Sequence, residues 1–143
     1  MKYEELTGKI IGHAMKVHTA LGCGFQELIY QRALEIEMKF DLLEFEREYE
    51  MPIYYKKNHI GTRRVYFLVS EILAVELKAV TNLEPVHFTQ AINYLEAYNL
   101  ELGILINFGS KSLQFHRFKN LKYKPIPKQV HPNENTSSNN IEK

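Results

Sequence analysis

The sequence predicts an α/β fold with α+β character: a mixed central sheet flanked by helices. Three observations carry this. Apolar residues recur at helical spacing from the N-terminus to Phe40, extended segments rich in aromatic and β-branched residues follow, and one further helical segment separates two strongly apolar runs. The predicted order is α-α-β-β-β-α-β-β.

The first helix is expected over Tyr3–Leu21, where Leu6, Ile10, Ala14, Val17 and Leu21 form one stripe. Gly22-Cys23-Gly24 stops it, because two glycines so close favour a reversal. A second helix is expected over Gln26–Phe40, with Ile29, Ala33, Ile36 and Phe40 as its buried stripe and Asp41 at its end. Glu44–Glu50 alternates charge with aromatics, and Pro52–Tyr55 continues extended. Lys57–Gly61 reads as a turn. Arg64–Val69 reads as a strand, Ser70-Glu71 as a turn, and Ile72–Val80 as a central strand covered on both faces. A third helix starts near Pro85, a residue accepted in a first helical turn, with Phe88, Ala91, Ile92, Leu95 and Tyr98 as apolar positions. Leu102–Phe108 and Leu113–Phe118 are the last strands, divided by Gly109-Ser110. The chain is expected to divide into one domain, residues 1–122, and a disordered tail, residues 123–143, where Pro, Asn, Ser and charge dominate.

Composition bounds the function. With 143 residues, 45% of them hydrophobic, and a mean hydropathy of −0.32, the chain suits one domain with a real core. A net charge of +1 signals neither global nucleic-acid affinity nor acidic disorder. Of the 17 acidic residues 16 are Glu, and Asp41 is the only Asp, so a site built from two or three Asp residues is excluded. The single cysteine, Cys23, excludes an internal disulfide and a multi-cysteine zinc site, and it fits a reducing compartment. The first residues lack a secretory signal's apolar core, and no run approaches the roughly 20 apolar residues of a membrane span. A cytoplasmic protein without membrane association is therefore expected.

Chemistry concentrates in three places. On the strand Val75-Glu76-Leu77-Lys78, side-chain alternation puts Glu76 and Lys78 on one face, their Cα atoms roughly 7 Å apart. Two charges on a central strand are costly unless they are paired or at work, so a structural ion pair or an emerging strand end is the plain alternative. Gln90 and Tyr94 lie four apart on a helix, a spacing that surface residues also adopt. In Gly24-Phe25-Gln26-Glu27-Leu28-Ile29-Tyr30, the helix dipole by itself accounts for a Glu in the first turn.

Taken together, Gly24-x-x-Glu27-x-x-Tyr30, Glu76-x-Lys78 and Gln90-x-x-x-Tyr94 resemble the GxxExxY family of the PD-(D/E)XK nuclease superfamily. Val17-His18, Leu21-Gly22 and Leu105-Ile106-Asn107-Phe108 resemble its surrounding phrases, and the likeness spans roughly residues 5–119. The resemblance implies a restriction-endonuclease-like core and Mg²⁺- or Mn²⁺-dependent cleavage of phosphodiester bonds. It implies Glu76 as metal ligand, with the Leu77 backbone carbonyl and Glu27 as further ligands. Lys78 becomes the lysine that orients water and stabilises the developing anion. Gln90 and Tyr94 would support the site and the nucleic-acid backbone. His18 also matches a family phrase, though a lone histidine on a helix ordinarily packs.

One position departs from the pattern. The family strand before Glu76 reads Arg-x-Asp, whereas this chain reads Arg64-Val65-Tyr66, so Tyr66 occupies the place of a metal-binding Asp. A neutral phenol is a poor ligand for Mg²⁺. Asp41 lies 25 positions earlier, too far for a register slip to supply the carboxylate. The expectation is a weak or inactive nuclease. The alternative is a non-catalytic module that keeps the fold to bind nucleic acid or a protein partner. Lys56, Lys57, His59, Arg63 and Arg64 beside Tyr54 and Tyr55 suit a nucleic-acid backbone and unstacked bases, DNA ahead of RNA, although a solvated hairpin tip has the same composition. Lys111, Arg117, Lys119, Lys122 and Lys124 make the end of the domain basic as well. A homo-oligomer is left open.

Overall fold

The computed structural model describes residues 3–125, and within its strands all side chains except those of residues 48, 49, 51 and 63–66. The elements are α1 (Glu4–Leu21), α2 (Glu27–Phe40), β1 (Phe45–Tyr55), β2 (Asn58–Val69), β3 (Leu73–Lys78), α3 (Pro85–Ala97), β4 (Leu102–Asn107) and β5 (Gln114–Lys119). This is the expected order. The part of the predicted tail from residue 126 onward lies outside the described residues. Lys124 is held by Asn99, whose side chain accepts from its N–H and donates to its carbonyl, at 3.0 and 2.8 Å.

The strands form one sheet in sequence order, β1-β2-β3-β4-β5. Only β3 and β4 are parallel, as they must be when α3 carries the chain back over the sheet. The other neighbours are antiparallel. Tight turns join the first three strands: Lys56 and Lys57, then Ser70 and Glu71, all take positive φ, the two-residue geometry that matches strand twist.

Alternation divides the core. Leu73, Val75 and Leu77 of β3 and Leu102, Ile104 and Ile106 of β4 pack with Ile10, Ala14 and Val17 of α1 and Tyr30, Leu34 and Met38 of α2. Ala74 and Leu105 face the other way, into a smaller cluster with Ala91, Tyr94 and Leu95 of α3 and Phe118 of β5. Gly103, paired with Ala74, lets α3 sit close: a Cβ at 103 would stand 3.1 Å from a Leu95 methyl.

Two expectations need correction. The buried side of α2 is Tyr30, Gln31, Leu34 and Met38, not the stripe through Ile29, Ile36 and Phe40. Ile29 and Ile36 are exposed and Phe40 is 83% exposed, because α2 is apolar on two faces and the sheet covers only one. The β1–β2 turn also falls earlier than expected, at Lys56-Lys57, so that His59, Ile60 and Gly61 already belong to β2. Pro52 is accommodated inside β1 because β1 is an edge strand.

Candidate nuclease site

Glu76 and Lys78 lie side by side on β3, on the face turned toward α3, as alternation requires. Glu76 is 8% exposed and makes side-chain interactions within the fold. Lys78, the last residue of the strand, is half-buried. Among the described residues no ion pair joins the two, so the pair is not held by the salt bridge that sequence alone allowed. Leu77 buries its side chain on the opposite face. Phe67, Leu68 and Val69 of β2 stand opposite Val75, Ala74 and Leu73. Carried one residue further, that register aligns position 66 with Glu76. The side chain of Tyr66 lies outside the described ones.

The next element builds the wall over that face. Pro85 opens α3, and Glu84 and His87 cap it reciprocally, with the Glu84 N–H donating to His87 Nδ1 at 2.9 Å. Tyr94 is buried and its ring meets that of Tyr98 at 5.0 Å. Gln90, one turn earlier, is exposed. The helix thus presents the two motif residues differently, Tyr94 to the core and Gln90 to solvent.

Between β3 and α3 runs the loop 79–84, and Asn107 clamps it. This fully buried side chain accepts from the N–H groups of Val80 and Gly109, at 2.9 and 3.0 Å, and donates to the Val80 carbonyl and to Gln114 Oε1, both at 2.9 Å. Gln114 Oε1 also accepts from the Leu83 N–H at 3.1 Å, and the Ser110 hydroxyl donates to the Thr81 carbonyl. Gly109 fits beside this loop because a Cβ there would run into the Val80 backbone. In the sequence Asn107 stands out only as part of Leu105-Ile106-Asn107-Phe108. The available signal was an amide side chain inside an apolar strand, which must find several partners when buried.

The Gly24–Tyr30 segment serves the fold first. Tyr30 is fully buried, donates to the Gly22 carbonyl and accepts from the Phe25 N–H at 3.1 Å, which closes the α1–α2 turn. Its ring stacks on Phe108 at 4.6 Å. His18 donates to the Ser110 carbonyl at 2.9 Å, a tether from α1 to the loop after β4. Glu27 occupies the first turn of α2, in the layer across the sheet from the face that carries Glu76.

Among the described residues no three His, Cys, Asp or Glu side chains converge as a metal-binding group. Asp41 is engaged elsewhere: His13 Nε2 donates to its carboxylate at 2.9 Å, bridging α1 to the end of α2. On the sheet face turned toward α3 the described strand carboxylates are Glu76 on β3 and, two strands away, Glu46 and Glu50 on β1, which the register sets on the same face. Of the basic positions, Lys56 and Lys57 are exposed at the hairpin turn, while the side chains of Arg63 and Arg64 lie outside the described ones. The second basic group is partly committed: Arg117 donates to Thr7 Oγ1 at 3.1 Å and Lys122 pairs with Glu96 at 3.6 Å.

A family model described as the PD-(D/E)XK nuclease superfamily matches residues 4–118. Among solved structures, the crystal structure of SSO0001 is similar in fold, with a TM-score of 0.53 and 17% sequence identity over 83% of this chain. The chain spans 60% of the length of that one. No curated protein matches. No helix among the described residues is long and apolar enough to cross a membrane.

Proposed function

Because the chain belongs to the PD-(D/E)XK nuclease superfamily, we propose that it is a GxxExxY-type domain that engages nucleic acid, with metal-dependent cleavage weakened or lost at its acid pair. One observation carries this reading: Glu76 and Lys78 share one face of the central strand, and the chain has Tyr66 in place of the second acid. The fold and the lysine suit a phosphodiester, because a half-buried ammonium at a strand end can meet a phosphate oxygen. The ligand set does not suit a tightly held ion. Mg²⁺ or Mn²⁺ would draw on Glu76, the Leu77 carbonyl and Glu27, whose helix lies across the sheet, whereas Mg²⁺ chemistry in such sites draws on converging carboxylates. Lys56, Lys57, Arg63 and Arg64 would meet the polynucleotide backbone, and Gln90 and Tyr94 would support the strand as it passes α3.

Cleavage assays on single- and double-stranded DNA and RNA with Mg²⁺ or Mn²⁺ test the reading. Wild type is expected to be feeble or inactive, any residual cleavage is expected to vanish in Glu76→Ala, and Tyr66→Asp is expected to raise metal-dependent cleavage. Vigorous wild-type cleavage that survives Glu76→Ala would overturn the proposed site. A second reading, a protein-interaction or self-associating module, draws on the exposed apolar face of α2 at Ile29, Ile36 and Phe40. A wild type that binds no nucleic acid but self-associates through that face would favour it.

A further inference from the structure

The β1–β2 hairpin outruns the sheet. β3 ends at Lys78, which the β2–β3 register sets level with position 64. β1 is the edge strand, so residues 52–62 pair only with one another, from Pro52 opposite Thr62 to Tyr55 opposite Asn58. The limb that ends at Asn58 thus reaches roughly 20 Å past the end of β3 at strand rise. It leaves the sheet at the end that carries Glu76 and Lys78.

Among the described residues no layer covers this arm. Tyr54, Tyr55 and Ile60 are 60%, 62% and 64% exposed. Tyr54 leans on His59 across the strands, ring centroids 5.7 Å apart, and Lys56 Nζ stands 5.6 Å from the Tyr55 centroid. The register shifts between Ile53 and Tyr54, which twists the arm's tip relative to its base. From Met51 to Ser70 the chain contains Lys56, Lys57, His59, Arg63 and Arg64 and no acidic residue at all, although acids nearly match bases over the whole sequence. Exposed rings beside the exposed Lys56 and Lys57 fit a polyanion whose flat apolar faces are accessible. Unpaired bases offer such faces, whereas a duplex hides them in its stack.

We propose that residues 52–62 form an arm that grips single-stranded nucleic acid, stacking bases on Tyr54 and Tyr55 and leading the strand toward Glu76 and Lys78. This rests on the nucleic-acid reading above and adds the substrate class. The test is fluorescence anisotropy of the full chain with a labelled oligothymidylate of roughly 20 nucleotides and a duplex of equal length, in EDTA so that cleavage plays no part. The single strand is expected to bind more tightly than the duplex. Tyr54→Ala with Tyr55→Ala is expected to weaken it about tenfold or more, and the corresponding Phe pair to preserve it. Lys56→Gln with Lys57→Gln is expected to lower the log–log salt slope by about 1.4. All these side chains are exposed, so melting curves of the variants are expected to match wild type. Equal affinity for duplex and single strand, or an Ala pair that binds like wild type, overturns the arm and leaves the nucleic-acid reading standing. Absence of any wild-type binding, with dimers that the Ala pair dissociates, overturns both.

Discussion

Replacing Asn107 with Ala removes the clamp on the loop between β3 and α3. The wild-type amide makes four well-formed hydrogen bonds, two accepted from the Val80 and Gly109 N–H groups and two donated to the Val80 carbonyl and Gln114 Oε1. At about 1 kcal/mol net for each, the loss is about 4 kcal/mol, a large share of the roughly 5–15 kcal/mol that holds a domain folded. With a urea dependence of about 2 kcal/mol per molar, the unfolding midpoint falls by about 2 M. Asn107→Asp sharpens the test. It keeps both accepted bonds but sets a second oxygen against the Val80 carbonyl and Gln114 Oε1, so near neutral pH it is expected to be at least as unstable as the Ala variant. Its deficit narrows as the pH falls, because protonation restores one donor. Urea titrations followed by far-UV circular dichroism measure both variants. An Ala midpoint within about 0.5 M of wild type would refute the clamp, since it would mean that the freed backbone groups find equivalent partners.

The two faces of α2 give a second prediction: Met38→Ala, which empties a fully buried position, is expected to cost about 2–5 kcal/mol, while Phe40→Ser is expected to leave the melting temperature nearly unchanged. The Asp41 carboxyl is held below its ordinary range chiefly by the hydrogen bond from His13, with Lys9 and the charge of His13 adding to the effect. Because the folded-state value is the lower one, this contact stabilises the fold above the usual aspartate range, and the contribution disappears as pH falls through it. Asp41→Asn is therefore expected to be less stable than wild type near neutral pH and to converge with it on acidification. Thermal melts across pH 2–7 check the convergence, about the span over which a carboxylate titrates.

The order of elements and the pairing of Glu76 with Lys78 were legible because both rest on periodicity. A buried strand must alternate, and a two-residue spacing on β3 can only put both charges on one side. The face of α2 was not legible, since Ile29, Ile36 and Phe40 are as apolar as Leu34 and Met38. What turns the helix is Tyr30, whose hydroxyl is satisfied in the α1–α2 turn and whose ring stacks on Phe108. No local pattern announces a partner 78 positions away. The hairpin was misplaced for a chemical reason: Gly61 drew the expected turn toward itself, whereas positive φ is adopted by two lysines, Lys56 and Lys57. The Asn58 amide helps there by donating to the Lys56 carbonyl at 3.1 Å. Glu27 and Glu76 both carry the right chemistry for a ligand, but sequence spacing does not say that α2 lies across the sheet from the face that Glu76 occupies.

The stack of Tyr30 on Phe108 also bears on how the chain is made. The helices α1 and α2 leave the ribosome before the strands, yet the surface that covers Ile10, Val17, Leu34 and Met38 belongs to β3 and β4. Roughly 70 further residues must be added after α2 before Phe108 exists, about 4–14 s at ordinary synthesis rates. Throughout that interval the helical pair carries bare apolar sides, the condition in which nascent chains recruit holding chaperones. Slow codons placed between the second helix and the fourth strand would lengthen that exposure, and the yield of soluble protein would register it.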